Sequence, residues 1–100
     1  MKYYFLNGTF KENKPAGPSF KEALEAHHAY WAPHMKAGKV LISGPKMGNA
    51  GLIVLKCKDD ENVQDYINAD PFVTRGVADF DAMEFKPFFK IPALEDWFAE

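Results

Sequence analysis

Phe20, Leu24, His27, Trp31 and Met35 recur at spacings of four, three, four and four residues, which is one face of a helix with about 3.6 residues per turn. A helix of some twenty residues, 19–38, in a chain of 100 has to lay that face on a second layer supplied by the rest of the chain. The stripe also carries an imidazole, a group that titrates near neutrality, where apolar side chains are expected. Two roles suit His27: a core histidine satisfied by one hydrogen bond, or an acid or base lining a cleft between helix and sheet. Helical spacing by itself favours the first.

The flanking segments predict that second layer. Residues 2–7, KYYFLN, are rich in aromatics and stop at Gly8, which reads as a strand. The segment 9–18, with two prolines and a glycine, reads as a loop and a candidate lid. Ser19 and Glu22 form an S-x-x-E capping box that starts the long helix, and Gly38 ends it. Pro33 should kink or stop the helix, because it donates no hydrogen bond to the Ala29 carbonyl.

KVLIS and LIVLKCK around a glycine-rich turn predict an antiparallel hairpin. DDENVQDYINA, with Val63, Tyr66 and Ile67 at helical spacing and an aspartate as its cap, predicts a second helix. Asp70-Pro71-Phe72 predicts a brief helical turn over 71–75. A last strand falls within 79–88, where Met83 and Phe85 alternate with Glu84 and Lys86. The order β-α-β-β-α-β is the split βαβ, ferredoxin-like arrangement, an α+β fold with a four-stranded antiparallel sheet and both helices on one face. One domain spans 1–100, with a core of about 2–88 and a tail, 89–100, whose Ile91, Leu94, Trp97 and Phe98 are too apolar to be left in solvent and should pack on this domain or on a second copy.

Hydrophobic residues at 47% and aromatics at 15% supply a core and rule out disorder. A net charge of −2 with no basic block gives nucleic acid no footprint. A lone cysteine, Cys57, on the face of Ile53 and Leu55, reads as core filler and fits a reducing cytoplasm. The first residues run straight into strand-like sequence, and no apolar run approaches membrane-spanning length, so neither export nor a membrane partner is expected. So short a chain exposes much of its surface, and a homo-oligomer is the expected way to complete its core.

His27, His28 and His34 invite a metal reading, but His27 and His28 point about 100° apart and His34 lies about 10 Å along the axis from His27. No metal site is expected, and His28 should face solvent. Asp70 continues the inward stripe Val63, Tyr66, Ile67. An aspartate before a proline is a common helix N-cap, which by itself explains Asp70. The fold adds a second role: helices side by side on one face let His27 and Asp70 meet, and a carboxylate beside an imidazole fixes its tautomer and readies it for acid–base work. Ser43, Gly44 and Pro45 end the second strand near the mouth of that cleft, where a hydroxyl and a close backbone approach could serve a ligand or an ordinary turn.

Taken in order, His27-His28-Ala29-Tyr30-Trp31 followed by Gly38, then Ser43-Gly44-Pro45, then Gly51-Leu52-Ile53-Val54, then Asp70-Pro71-Phe72 resemble the YCII-related (YciI-like) domain family. The resemblance implies small bacterial proteins with a dimeric ferredoxin-like fold of the α+β barrel type. It also implies a histidine–aspartate active site at His27 and Asp70, with acid–base chemistry such as dehydrochlorination or isomerisation on small cyclic or aromatic compounds. Pro33 and the aromatic tail depart from the family pattern. The expected enzyme needs no cofactor, works as a homodimer, and lines its pocket with Tyr30, Trp31, Ser43, Gly44, Pro45 and Phe72. The alternative is a ligand-binding or interaction module that performs no bond chemistry.

Overall fold

The computed structural model describes residues 1–99. Lys2–Phe10 forms strand β1, which runs past Gly8 and does not stop there. A Cβ at Gly8 would lie 2.7 Å from Phe80 Cε1 and 3.0 Å from the Gly51 carbonyl oxygen, so this glycine permits a close approach and does not turn the chain. The loop expected over 9–18 therefore covers only 11–16.

Gly17–Lys36 is the long helix α1. It opens two residues before Ser19, with Pro18 in its first turn, where a missing N–H does no harm and the proline φ suits the helix. Ser19 lies inside the helix, no side chain caps it, and the expected capping box does not form. Pro33 does not stop α1 either. Ala29 and Pro33 are both exposed, so the carbonyl that loses its donor lies on the solvent face, where water can serve it. Gly38, at φ 79°, ends the helix. Its N–H donates to the Met35 carbonyl at 3.0 Å and the Lys39 N–H to the His34 carbonyl at 2.9 Å, the Schellman pair.

Val40–Pro45 (β2) and Gly51–Cys57 (β3) make the expected antiparallel hairpin. Val63–Asn68 (α2) is capped by Asn62, whose side chain accepts the Gln64 N–H, and not by the aspartates before it. Pro71–Thr74 (α3) and Ala78–Phe85 (β4) follow. The strands lie in the order β2-β3-β1-β4 with every neighbouring pair antiparallel, which is the ferredoxin-like topology.

Strand register sorts the two faces of the sheet. Leu6, Ile53, Leu55 and Phe80 face the helices and pack with Trp31, Ile67, Phe72 and Val77. In β4, Ala78 and Phe80 are buried, whereas Met83 and Phe85 pair with Phe5 and Tyr3 on the helix-free face. The alternation of Met83 and Phe85 had the right period but marked the opposite face, because only the pairing partner tells which parity points inward. Cys57 is fully buried, and burial pushes its thiol up to about 11, so it is inert filler.

Beyond β4 the tail makes one 3₁₀ turn, Pro92–Leu94, and not a helix. Trp97 Nε1 donates to the Gly38 carbonyl at 2.7 Å, Lys56 Nζ donates to the Trp97 carbonyl at 2.9 Å, and Tyr3 meets the Trp97 and Phe98 rings at 5.8 and 5.0 Å. The tail thus packs on its own domain, over the row Lys56, Tyr3 and Phe85 of the helix-free face. Phe88, Phe89 and Ile91 remain exposed.

Candidate active site

All five members of the helical stripe, Phe20, Leu24, His27, Trp31 and Met35, line one cavity of about 550 Å³ between α1 and the sheet. Its sheet side carries Ser43 and Ala50, whose short side chains do not fill the space beneath the helix. The stripe therefore points at the sheet but looks into a hollow. Its volume falls in the range of about 300–1,000 Å³ usual for small-molecule sites.

His27 brings Nδ1 to 2.8 and 2.9 Å from the two carboxylate oxygens of Asp70. Asp70 is fully buried. It sits in extended backbone where α2 gives way to α3, a break enforced by Pro71. Its Oδ1 accepts the Phe72 N–H at 2.8 Å, and its Oδ2 accepts Trp31 Nε1–H at 2.8 Å. Both oxygens already act as acceptors, so Nδ1 is the donor and the neutral imidazole keeps its lone pair on Nε2. Helix cap and histidine partner are one carboxylate here, because its two oxygens have lone pairs for both tasks.

Phe72 stacks on the imidazole at 4.0 Å with 12° between the planes, and Phe80 lies parallel at 6.1 Å. These rings, together with the contact to Asp70, hold the imidazole in one orientation. The His27 side chain retains 15% of its surface and forms part of the cavity wall.

Trp31, Ser43, Gly44, Pro45 and Phe72 also stand on that wall. Tyr30 does not, which corrects its expected place in the pocket. Its hydroxyl donates to the Tyr66 carbonyl at 2.8 Å, and its ring lines a separate hollow with His34, Glu61, Asp65 and Tyr66. Three residues beyond His27, the helix has turned about 300°, which carries Tyr30 around toward α2.

Phe10, Phe80, Asn49 and His28 are wall residues that sequence reasoning missed. The parity of Ala78 and Phe80 could have found one of them; a turn asparagine carries no such signal. His28 is exposed as expected but also rims the cavity, its ring 5.7 Å from that of His27. Lys14, from the loop expected to act as a lid, sits over the Phe10 and Phe20 rings at 5.1 and 4.7 Å. Among the described residues no three His, Cys, Asp or Glu side chains are arranged to hold a metal ion.

His34 lies against the rings of Tyr30, Trp31 and Tyr66 at 5.1–5.7 Å. Burial, then the charge of Lys39, holds its pKa below the ordinary histidine value, with Glu61 opposing. The folded state thus prefers neutral His34, while the unfolded chain takes up a proton near pH 6.5. This contribution to stability is present above about pH 6.5 and is lost as the pH falls from there through the lowered folded value. Melting curves between pH 7 and 5 should show a smaller decline for His34→Phe than for the wild type; equal declines would remove His34 as the cause.

The solved structure of 5-chloro-2-hydroxyhydroquinone dehydrochlorinase from Burkholderia phenoliruptrix AC1100, in complex with 2,5-dihydroxybenzoquinone, is similar to this chain. The TM-score is 0.65 at 18% identity, and the match covers 84% of this chain and 93% of that one. At that identity the likeness speaks for the fold. None of the curated proteins matches. No helix among the described residues is long and apolar enough to cross a membrane. Residues 1–86, from the start of β1 to just past the end of β4, match the YCII-related domain, and the chain belongs to that family.

Proposed function

We propose that this protein is an enzyme in which His27 moves a proton to and from a small cyclic or aromatic substrate, oriented by Asp70. The observation that carries the reading is the 2.8 Å contact between His27 Nδ1 and a fully buried carboxylate, beside an aromatic-walled cavity. Nε2 removes a proton from an O–H or C–H of the substrate. The electron pair left behind moves into the ring as a C=O or C=C bond forms. Asp70 stabilises the imidazolium through Nδ1–H, and the proton then returns to the substrate in an isomerisation or passes to water in an elimination.

The similar dehydrochlorinase, named for a chlorinated hydroxyhydroquinone and holding a quinone, supports an elimination in which chloride departs with the electrons of the C–Cl bond. Among the described residues, His27 and His28 are the only titratable side chains on the cavity wall, which favours a ring of low net charge. The test is chloride release from chlorinated hydroxyhydroquinones, a compound class on which the wild type should turn over and His27→Gln should not. Equal release by the two proteins, or release by neither, ends the reading.

A homodimer is part of this proposal. Ile42, Val54, Phe5 and Met83 pair across all four strands into one apolar row on the helix-free face, with Ile42 and Met83 63% and 60% exposed. Such a row suits burial against a second copy. The wild type should sediment at twice the chain mass and Phe5→Glu at the chain mass; a monomeric wild type removes this part of the proposal.

A further inference from the structure

The turn between β2 and β3 is latched to the end of β1 by one side chain. Asn49 Oδ1 accepts the Phe10 N–H at 2.9 Å and the Ala50 N–H at 2.8 Å. The pairing of β1 with β3 ends at Asn7 and Leu52, so beyond that point the carboxamide oxygen takes the place of a strand carbonyl. Within the turn, the Lys46 N–H donates to the Ala50 carbonyl at 3.0 Å. Lys46 Nζ reaches back to Asn7 Oδ1 at 2.8 Å. The turn is thus anchored on both sides and forms a built wall of the cavity.

Two N–H donors converging on one atom also settle the orientation of the carboxamide: that atom is the oxygen, and Nδ2 is the other end. Nδ2 has no acceptor among the described residues, and Asn49 stands on the same wall system as His27. Apart from Asn49, the described residues of that wall offer side-chain polar groups only at His27, His28, Ser43 and Trp31, and the Trp31 N–H is already given to Asp70.

We propose that Asn49 is a ligand-binding residue, its Nδ2–H donating to a carbonyl or ionised hydroxyl oxygen of the ring compound on which His27 acts. This rests on the acid–base reading above and adds the feature that the ligand must carry. A donor already held in place needs no reorganisation when negative charge develops on that oxygen, and apolar neighbours such as Phe10 and Phe80 strengthen its effect. Latch and donation are separable. A carboxylate can accept the same two backbone N–H groups, so Asn49→Asp retains the first task and loses the second.

The experiment titrates ¹⁵N-labelled protein with 2,5-dihydroxybenzoquinone, which carries both carbonyl and ionisable hydroxyl oxygens, and follows the Asn49 carboxamide and His27 ring signals by NMR. Both are expected to shift along one saturation curve. Asn49→Asp should bind the probe at least about tenfold more weakly, the loss expected for a hydrogen bond to a charged group, while melting like the wild type. A folded Asn49→Asp that binds as tightly as the wild type overturns the proposal. If that variant does not fold, the wild-type titration decides. His27 signals that move while the Asn49 pair stays still overturn the donor and leave the acid–base reading standing; no movement in either set overturns both.

Discussion

Asp70→Asn is expected to lower the unfolding free energy by about 3 kcal/mol, the scale found when one partner of a buried charged network is replaced. The carboxylate is fully buried and accepts from three donors, His27 Nδ1, Trp31 Nε1 and the Phe72 N–H. An asparagine can keep its oxygen on the Phe72 N–H. Its NH₂ then faces the Trp31 indole, donor against donor, and one buried N–H is left without an acceptor. For a chain of 100 residues such a loss lowers the melting temperature by roughly 15 °C. Trp31→Phe removes one donor and leaves the others in place, so its effect should be smaller, about 1–2 kcal/mol. Thermal or urea melts of the two variants check the order; an Asp70→Asn protein as stable as the wild type would show that the network contributes nothing to the fold.

His27→Gln should act on turnover and leave stability nearly unchanged. Glutamine can still donate an amide N–H toward Asp70 and fill part of the space against Phe72, but it has no lone-pair nitrogen of comparable basicity. Loss of a positioned acid–base group lowers rates by about 10²–10⁴-fold. Chloride release and melting temperature measured on the same preparation separate this outcome from simple unfolding. The two substitutions are thus expected to differ in kind: Asp70 serves cap, indole and imidazole together, whereas His27 keeps a partly exposed edge on the cavity.

Much of the fold was legible because the signals are local. Periodicity located α1, β-branched runs located the hairpin, and the Asp70-Pro71 step marked the break between α2 and α3. The misreadings arose where a local signal has more than one solution. A glycine can end a strand or let two backbones approach, and Gly8 does the second. Pro33 can break a helix or lie on its wet face, and it does the latter. Ser19 had the composition of a cap, but Pro18 starts the helix upstream.

Sequence alone determined the family, the order of elements and the two residues, His27 and Asp70, whose chemistry is worth testing. Helical period told which side of α1 turns toward the sheet, since that follows from the geometry of one segment. Whether the space on that side is filled depends on the side chains of other segments, and here short ones such as Ser43 and Ala50 leave it open. Only the tertiary structure turned an apparent core stripe into a cavity wall, set Tyr30 aside, and brought Asn49 in from a turn, because distances between residues far apart in the chain are decided by packing.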